Sequence, residues 1–212
     1  MSESLHLGRI RGIAVGINWS LLPVFFLLSW SLADTLLPAA APGFAGWAYW
    51  VFAILTTAAF YASLLAHELS HAVVAQRHGV RIKGIVLWLF GGVAQMENDS
   101  PNPRAELEFT AAGPAMSFAV AAGSLLLAGL VSLAGASSIL VAALRWLGEI
   151  NILLGVFNLL PAFPLDGGRI LRAVLWRRWG DRARATNAAS RVGRIGGYVL
   201  IAIGLIAFVF GG

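Results

Sequence analysis

The sequence predicts an all-α polytopic membrane protein of about five transmembrane helices, with a short membrane-associated β-hairpin and a broken fourth helix. Three observations carry that prediction. The 212-residue chain is 58% hydrophobic and 12% charged, with mean hydropathy +0.79, whereas a soluble domain carries about 25% charged residues. Its apolar stretches approach or exceed the ~20 residues a helix needs to cross the hydrocarbon core. Its basic residues are segregated, fourteen of the fifteen Lys and Arg falling in segments 1–11, 77–104 and 169–194. An N-inside arrangement brings all three to one face, which the positive-inside rule makes cytoplasmic. The net charge of +5 is then a topological signal, and no nucleic-acid partner is expected. Cysteine is absent, which excludes disulfides and thiolate metal ligands.

Residues 1–11 are polar and end in Arg9 and Arg11. The apolar stretch 12–37 is too long for a secretory h-region of about 7–15 residues, so it is expected to be a retained first transmembrane helix. Pro38, Pro42 and Gly43 are expected to break the chain. Trp47, Tyr49 and Trp50 form an interfacial aromatic belt at the start of a second helix, which runs to His78 with Gly79 as its stop.

Within that second helix stands His67-Glu68-Leu69-Ser70-His71. Residues four apart share a helix face, so His67 and His71 can offer two imidazoles to one metal ion. Glu68 is turned about 100° from His67, where it can hold and deprotonate a water molecule. The plainer alternative is a helix with two core histidines and a stray carboxylate. An unpaired charge at a membrane helix centre costs about 2.5–3.5 kcal/mol, however, so three ionisable groups in five residues need a partner. A bound Zn²⁺ supplies one. His67 lies ten residues before Arg77, which puts the site about 15 Å below the basic face and inside the bilayer.

Residues 80–97 are too short to span as a helix. Their β-branched residues and Gly91-Gly92 suit a hairpin or re-entrant strand pair, and a buried apolar loop fits the pattern equally well. A polar loop, 98–104, leads to a third helix with Glu106 and Glu108 in its first turn. That helix reaches about Ala134, and Gly113-Pro114 and neighbouring small residues mark close packing, expected against the second helix. A turn at 135–138 opens the fourth helix, where Arg145 and Glu149 are spaced to pair with each other.

The fourth helix breaks into Asn158-Leu-Leu-Pro-Ala-Phe-Pro-Leu-Asp-Gly-Gly-Arg169. Irregular backbone at membrane depth survives only where it lines a cavity. Asp166 is the only acidic residue between Glu149 and Asp181. It is read either as the carboxylate ligand that completes a two-histidine zinc site or as a cap for the next helix. The basic stretch 169–194 and a last apolar segment, 195–210, end the chain.

Four of these elements together resemble the site-2 protease family of intramembrane zinc metalloproteases. They are His67-Glu68-x-x-His71, Phe90-Gly91-Gly92-Val93, Ala112-Gly113-Pro114-Ala115 and Asn158-x-x-Pro161-x-x-Pro164-Leu165-Asp166-Gly167. The resemblance implies one Zn²⁺ per chain on His67, His71 and Asp166, with Glu68 as general base. It also implies that Asn158 steadies the substrate or oxyanion, and that the hairpin at Gly91, Gly92 and Val93 takes an unwound substrate as an added strand. Asn18 stands where many relatives have a histidine.

Residues 1–212 are thus read as a single intramembrane metalloprotease core domain. Relatives of this type often continue with a further helix and sometimes nucleotide-sensing domains; a natural short form and a truncation both fit an end at Gly212. The expected partners are the lipid bilayer and transmembrane protein substrates, cut within or near their membrane segments. The expected location is a prokaryotic cytoplasmic membrane with the N-terminus inside. The rival class is a metal transporter or a non-catalytic metal-binding membrane protein, which would repeat ligands along a path through several helices.

Overall fold

The structure is a computed structural model that describes residues 5–89 and 91–210, with the backbone alone at Leu200. It opens with two strands, β1 (Leu5–Ile10) and β2 (Ile13–Ile17), followed by α1 (Leu21–Ser31), a π-helical stretch (Leu32–Leu36) and α2 (Leu37–Ala40). Next come α3 (Gly46–Arg77), the strands β3 (Ile82–Trp88) and β4 (Gly91–Met96), and α4 (Pro103–Leu133). The chain continues as α5 (Ser138–Asn158), α6 (Asp166–Trp179) and α7 (Arg182–Phe210). Among the described residues, five helical segments are long and apolar enough to cross a membrane: Leu21–Ala40, α3, α4, α5 and α7.

The first expected helix, 12–37, needs correction. It begins at Leu21, because the alternating Ile13, Val15 and Ile17 pair into a sheet instead. The 80–97 segment is a hairpin, not a loop, and it is half of a four-stranded sheet in the order β1-β2-β3-β4. β2 lies parallel to β3, with Ala14 opposite Gly84 and Ile17 opposite Leu87. Phe90, of the expected Phe90-Gly91-Gly92-Val93 hairpin element, lies outside the described residues. Gly84 suits this close pairing, since a Cβ there would lie 3.0 Å from the Ala14 carbonyl oxygen and the strand would have to shift to admit it.

Pro38 does not break the first helix. Proline lacks an N–H and crowds the carbonyl four residues earlier. The wider turns of the π-helical stretch immediately before it accommodate that loss. The break comes at Pro42 and Gly43, where φ is +95° at the glycine. There the Tyr49 hydroxyl donates to the Ala41 carbonyl at 2.8 Å and accepts from the Phe44 N–H at 3.2 Å. The stop of α3 is as expected. Gly79 has φ +78°, its N–H donates to Gln76 O, and the Val80 N–H reaches back to Ala75 O, the paired bonds of a Schellman cap.

α4 starts at an Asn102 cap, whose side chain accepts from the Ala105 N–H at 2.8 Å. Glu106, one residue further, is more than a helix-dipole charge. It is fully buried and paired with Arg172 of α6, whose Nε donates to Oε1 at 2.7 Å and whose Nη2 also contacts that oxygen. This ion pair ties α6 to the first turn of α4. Arg172→Ala would leave a buried carboxylate without its partner, which costs about 3–5 kcal/mol in comparable cases. The expected result is a clear drop in the thermal unfolding midpoint of the detergent-solubilised protein; an unchanged midpoint would mean that Glu106 escapes to water.

One further expectation changes. Among the described residues no ion pair joins Arg145 to Glu149; both line a cavity between the first helix and α5. The basic stretch is also helical. α6 carries it to Gly180, a left-handed cap at φ +72°, and α7 starts within it at Arg182. Arg182 donates to Asp99 at 2.8 Å, and this hydrogen bond holds the exposed Asp99 carboxyl below its usual pKa.

Candidate metal and catalytic centre

Antiparallel packing of α3 on α4 builds half of the site. His67 and His71 stand one turn apart on α3, and both rings are buried. Opposite them on α4 are Phe109, Gly113 and Ser117, also spaced by four and therefore aligned on one face. His67 Nδ1 lies 2.9 Å from the Ser117 hydroxyl, and His71 Nδ1 lies 2.8 Å from the Phe109 carbonyl oxygen. A carbonyl can only accept, so the His71 proton sits on Nδ1. The Ser117 hydroxyl can accept from His67 Nδ1 in the same way, and in that tautomer both Nε2 lone pairs face the same space.

Gly113 lies between these two anchors. A Cβ there would sit 2.7 Å from His67 Nε2 and collide with the His71 ring as well. The glycine is therefore required by the imidazoles as much as by helix packing. Gly113→Ala is expected to push both rings off their α4 anchors and lower metal content at least tenfold, an effect of the size seen when supports behind metal ligands are lost. Normal metal stoichiometry in this variant would show that the rings have room to yield.

Asp166 brings the third group. It opens α6, whose cap residue is Leu165 with no side-chain cap bond, so the capping alternative does not hold. Its Oδ2 lies 3.2 Å from each histidine Nε2, and the two Nε2 atoms are 3.1 Å apart. This oxygen is buried and has no hydrogen-bond donor. With both Nε2 atoms unprotonated, two imidazole lone pairs and a carboxylate oxygen converge on one space, an arrangement that a cation among them satisfies. The three form the one group of potential metal ligands found among the described residues, with ligand atoms within 4.8 Å of one another. A borderline-soft divalent ion with nitrogen and oxygen ligands fits this donor set.

The loop that delivers Asp166 works differently from a glycine turn. Gly167 and Gly168 are helical residues in the first turn of α6, and neither has a positive φ. They are glycines because the 159–163 backbone lies against them. A Cβ at Gly168 would be 2.7 Å from the Ala162 carbonyl carbon, and one at Gly167 would strike the Leu159 and Leu160 carbonyl oxygens.

Glu68 is half-buried beside these groups and faces a cavity of about 510 Å³. Gly91, Gly92, Val93, Asn158 and Arg169 line the same cavity, so every residue expected to touch substrate reaches it. Gly92 closes over Glu68: a Cβ there would lie 2.7 Å from the carboxylate carbon. β4 is the last strand of the sheet, and one wall of the cavity is built from it. The Asn158 amide donates to Leu154 O at 2.9 Å within its own helix. Asn18 is not in the site; its Oδ1 accepts from the Ser20 N–H at 3.0 Å and its own N–H joins Leu87 O. Sequence reading missed Ser117 and the Phe109 carbonyl. The available signal was their four-residue spacing from Gly113.

A sequence profile for Peptidase family M50 matches residues 55–135 and 127–203. Rip3 of Mycobacterium tuberculosis is 47% identical over 214 residues, covering 100% of this chain and 54% of its own length. Zinc metalloprotease MJ0392 of Methanocaldococcus jannaschii is 36% identical over 149 residues, covering 69% of this chain and 42% of its own. The chain thus spans about half the length of the curated relatives it matches. The solved structure of the site-2 protease from Methanocaldococcus jannaschii superposes with TM-score 0.63 at 29% identity, over 96% of this chain and 86% of that one.

Proposed function

The chain belongs to Peptidase family M50, and from that premise we propose that it is an intramembrane zinc metalloendopeptidase, hydrolysing peptide bonds within or near transmembrane segments of other proteins. The observation that supports this best is the convergence of His67, His71 and Asp166 beside Glu68 in one cavity. A transporter would instead space ligands along a path. In this reading residues 1–212 are a single metalloprotease core domain.

His67, His71 and Asp166 would hold the ion through two Nε2 atoms and a carboxylate oxygen. When bound, Zn²⁺ supplies Lewis-acid polarisation of a carbonyl and acidification of water. Ser117 and the Phe109 carbonyl fix the ring orientations, so the ligands need no rearrangement. Glu68 takes the proton of the attacking water on its carboxylate and returns it to the leaving amine nitrogen as the peptide bond breaks. Its position under Gly92 keeps the carboxylate beside the strand that would receive substrate. The edge of β4, at Gly91, Gly92 and Val93, suits an unwound substrate segment docking by strand addition. Asn158 lines the same cavity, and in this reading it steadies the substrate carbonyl.

The chain is an integral membrane protein. Its basic segments put the N-terminus on the cytoplasmic side, with cleavage inside the bilayer toward that face. Peptide mapping of membranes tests the reading. Fragments ending within transmembrane segments should accumulate with the wild-type chain and be absent with Glu68→Gln. Identical fragment profiles would reject the protease assignment.

A further inference from the structure

On the other flank of α3, away from the cavity, a groove of about 600 Å³ runs between α3 and α4. Its floor is apolar and made of small or aliphatic side chains, among them Ala66, Leu69 and Val73 of α3 and Ala112, Ala115 and Ala119 of α4. Two arginines, Arg11 and Arg77, also line it. Arg77 ends α3. Arg11 belongs to the β1–β2 turn, and β2 runs beside β3 from Ala14 at Gly84, just past the α3 stop at Gly79. Both guanidinium groups therefore stand at the same end of the groove, where the helices meet the basic membrane face.

Two observations bear on what these arginines can do. Arg11 and Gly12 form a two-residue hairpin turn with φ +50° and +82°, a conformation that favours Asn-Gly or Gly-Gly. Arg11 is the only non-glycine residue with positive φ among those described. An arginine held in that conformation points to a use for its side chain. Second, both arginines are exposed, and among the described residues neither joins an ion pair.

The geometry points to a binding site for one anionic phospholipid, its phosphate held by Arg11 and Arg77 and an acyl chain lying along the α3–α4 groove. The division of chemistry matches the ligand: paired guanidinium donors at the membrane–water boundary, hydrocarbon below it. Ala66, Leu69 and Ser70 alternate along α3 with His67, Glu68 and His71. The lipid would therefore pack against the back of the helix turn that carries the metal-binding residues.

The test is native mass spectrometry of the purified full chain, equilibrated with dioleoylphosphatidylglycerol or dioleoylphosphatidylcholine in mild detergent. The wild type should keep one phosphatidylglycerol, at least tenfold in excess of phosphatidylcholine. Arg11→Gln with Arg77→Gln should lower retention to the phosphatidylcholine level, whereas the double Lys variant should keep it. Ala119→Phe, which fills the groove, should lose the lipid with both arginines intact. Arg191→Gln with Arg194→Gln, elsewhere on the basic face, should retain it. The proposal is overturned if the 11/77 Gln variant keeps the lipid, if the 191/194 variant loses it equally, or if the wild type shows no preference. It is also overturned if light scattering shows a dimer that Ala119→Phe dissociates, because the groove would then hold a second copy of the chain.

Discussion

Asp166→Asn is expected to strip the metal and abolish cleavage together. Asp166 Oδ2 is buried, has no hydrogen-bond donor and lies 3.2 Å from both histidine Nε2 atoms. Asparagine keeps the shape and removes the charge. It also brings an NH₂ group, which can donate to the imidazole lone pairs and satisfy the cluster without a cation. Both effects act against the ion. Even losses behind a ligand cost about 10–100-fold in affinity, so removing the ligand itself should exceed that range. The control is Asp181→Asn, at a position where the carboxylate accepts from the Arg184 N–H near the start of α7. Metal analysis and cleavage assays on the two variants should diverge. Should Asp166→Asn match the control in both, the third ligand lies elsewhere.

Glu68→Gln is expected to separate binding from chemistry. Glu68 is not one of the three converging groups, so its neutral isostere leaves both imidazoles, their α4 anchors and Asp166 in place. Zinc content should stay near one per chain. Cleavage should fall by about 10²-fold or more, the range for losing a general acid–base catalyst, because the amide has no proton-accepting oxyanion. The same variant isolates steric effects, since glutamine still fits beneath Gly92. Cleavage at the wild-type rate with full zinc would exclude Glu68 as the base. Loss of zinc alongside activity would instead make it a ligand.

The membrane class, the five spans and the histidine pair were all legible in the residues, for local reasons. Hydropathy over a helix length reports burial in lipid directly, and two histidines four apart face one way on any helix. Gly79 was legible for the same reason, since a left-handed cap needs only its own φ. The first helix was misplaced because Ile13, Val15 and Ile17 are as apolar as a membrane segment. Only their pairing with β3, about seventy residues away in the chain, makes them a strand. The role of Gly167 and Gly168 was misread likewise: glycine signals freedom in a sequence, but here it answers to backbone packed against it.

The sequence by itself determined the membrane setting, the metal-binding residue types and the candidate base. Tertiary structure decided which nitrogen of each imidazole faces inward, through Ser117 and the Phe109 carbonyl, and why residue 113 is glycine. It decided that Asp166 meets the histidines and does not cap a helix, and that Glu106 closes on Arg172. The division follows from range. Periodicity and hydropathy are set by neighbours within a turn or two, whereas tautomer, the approach of the ligands and charge pairing are set by groups 38 to 99 residues away, which only the packed helices bring within 3.2 Å.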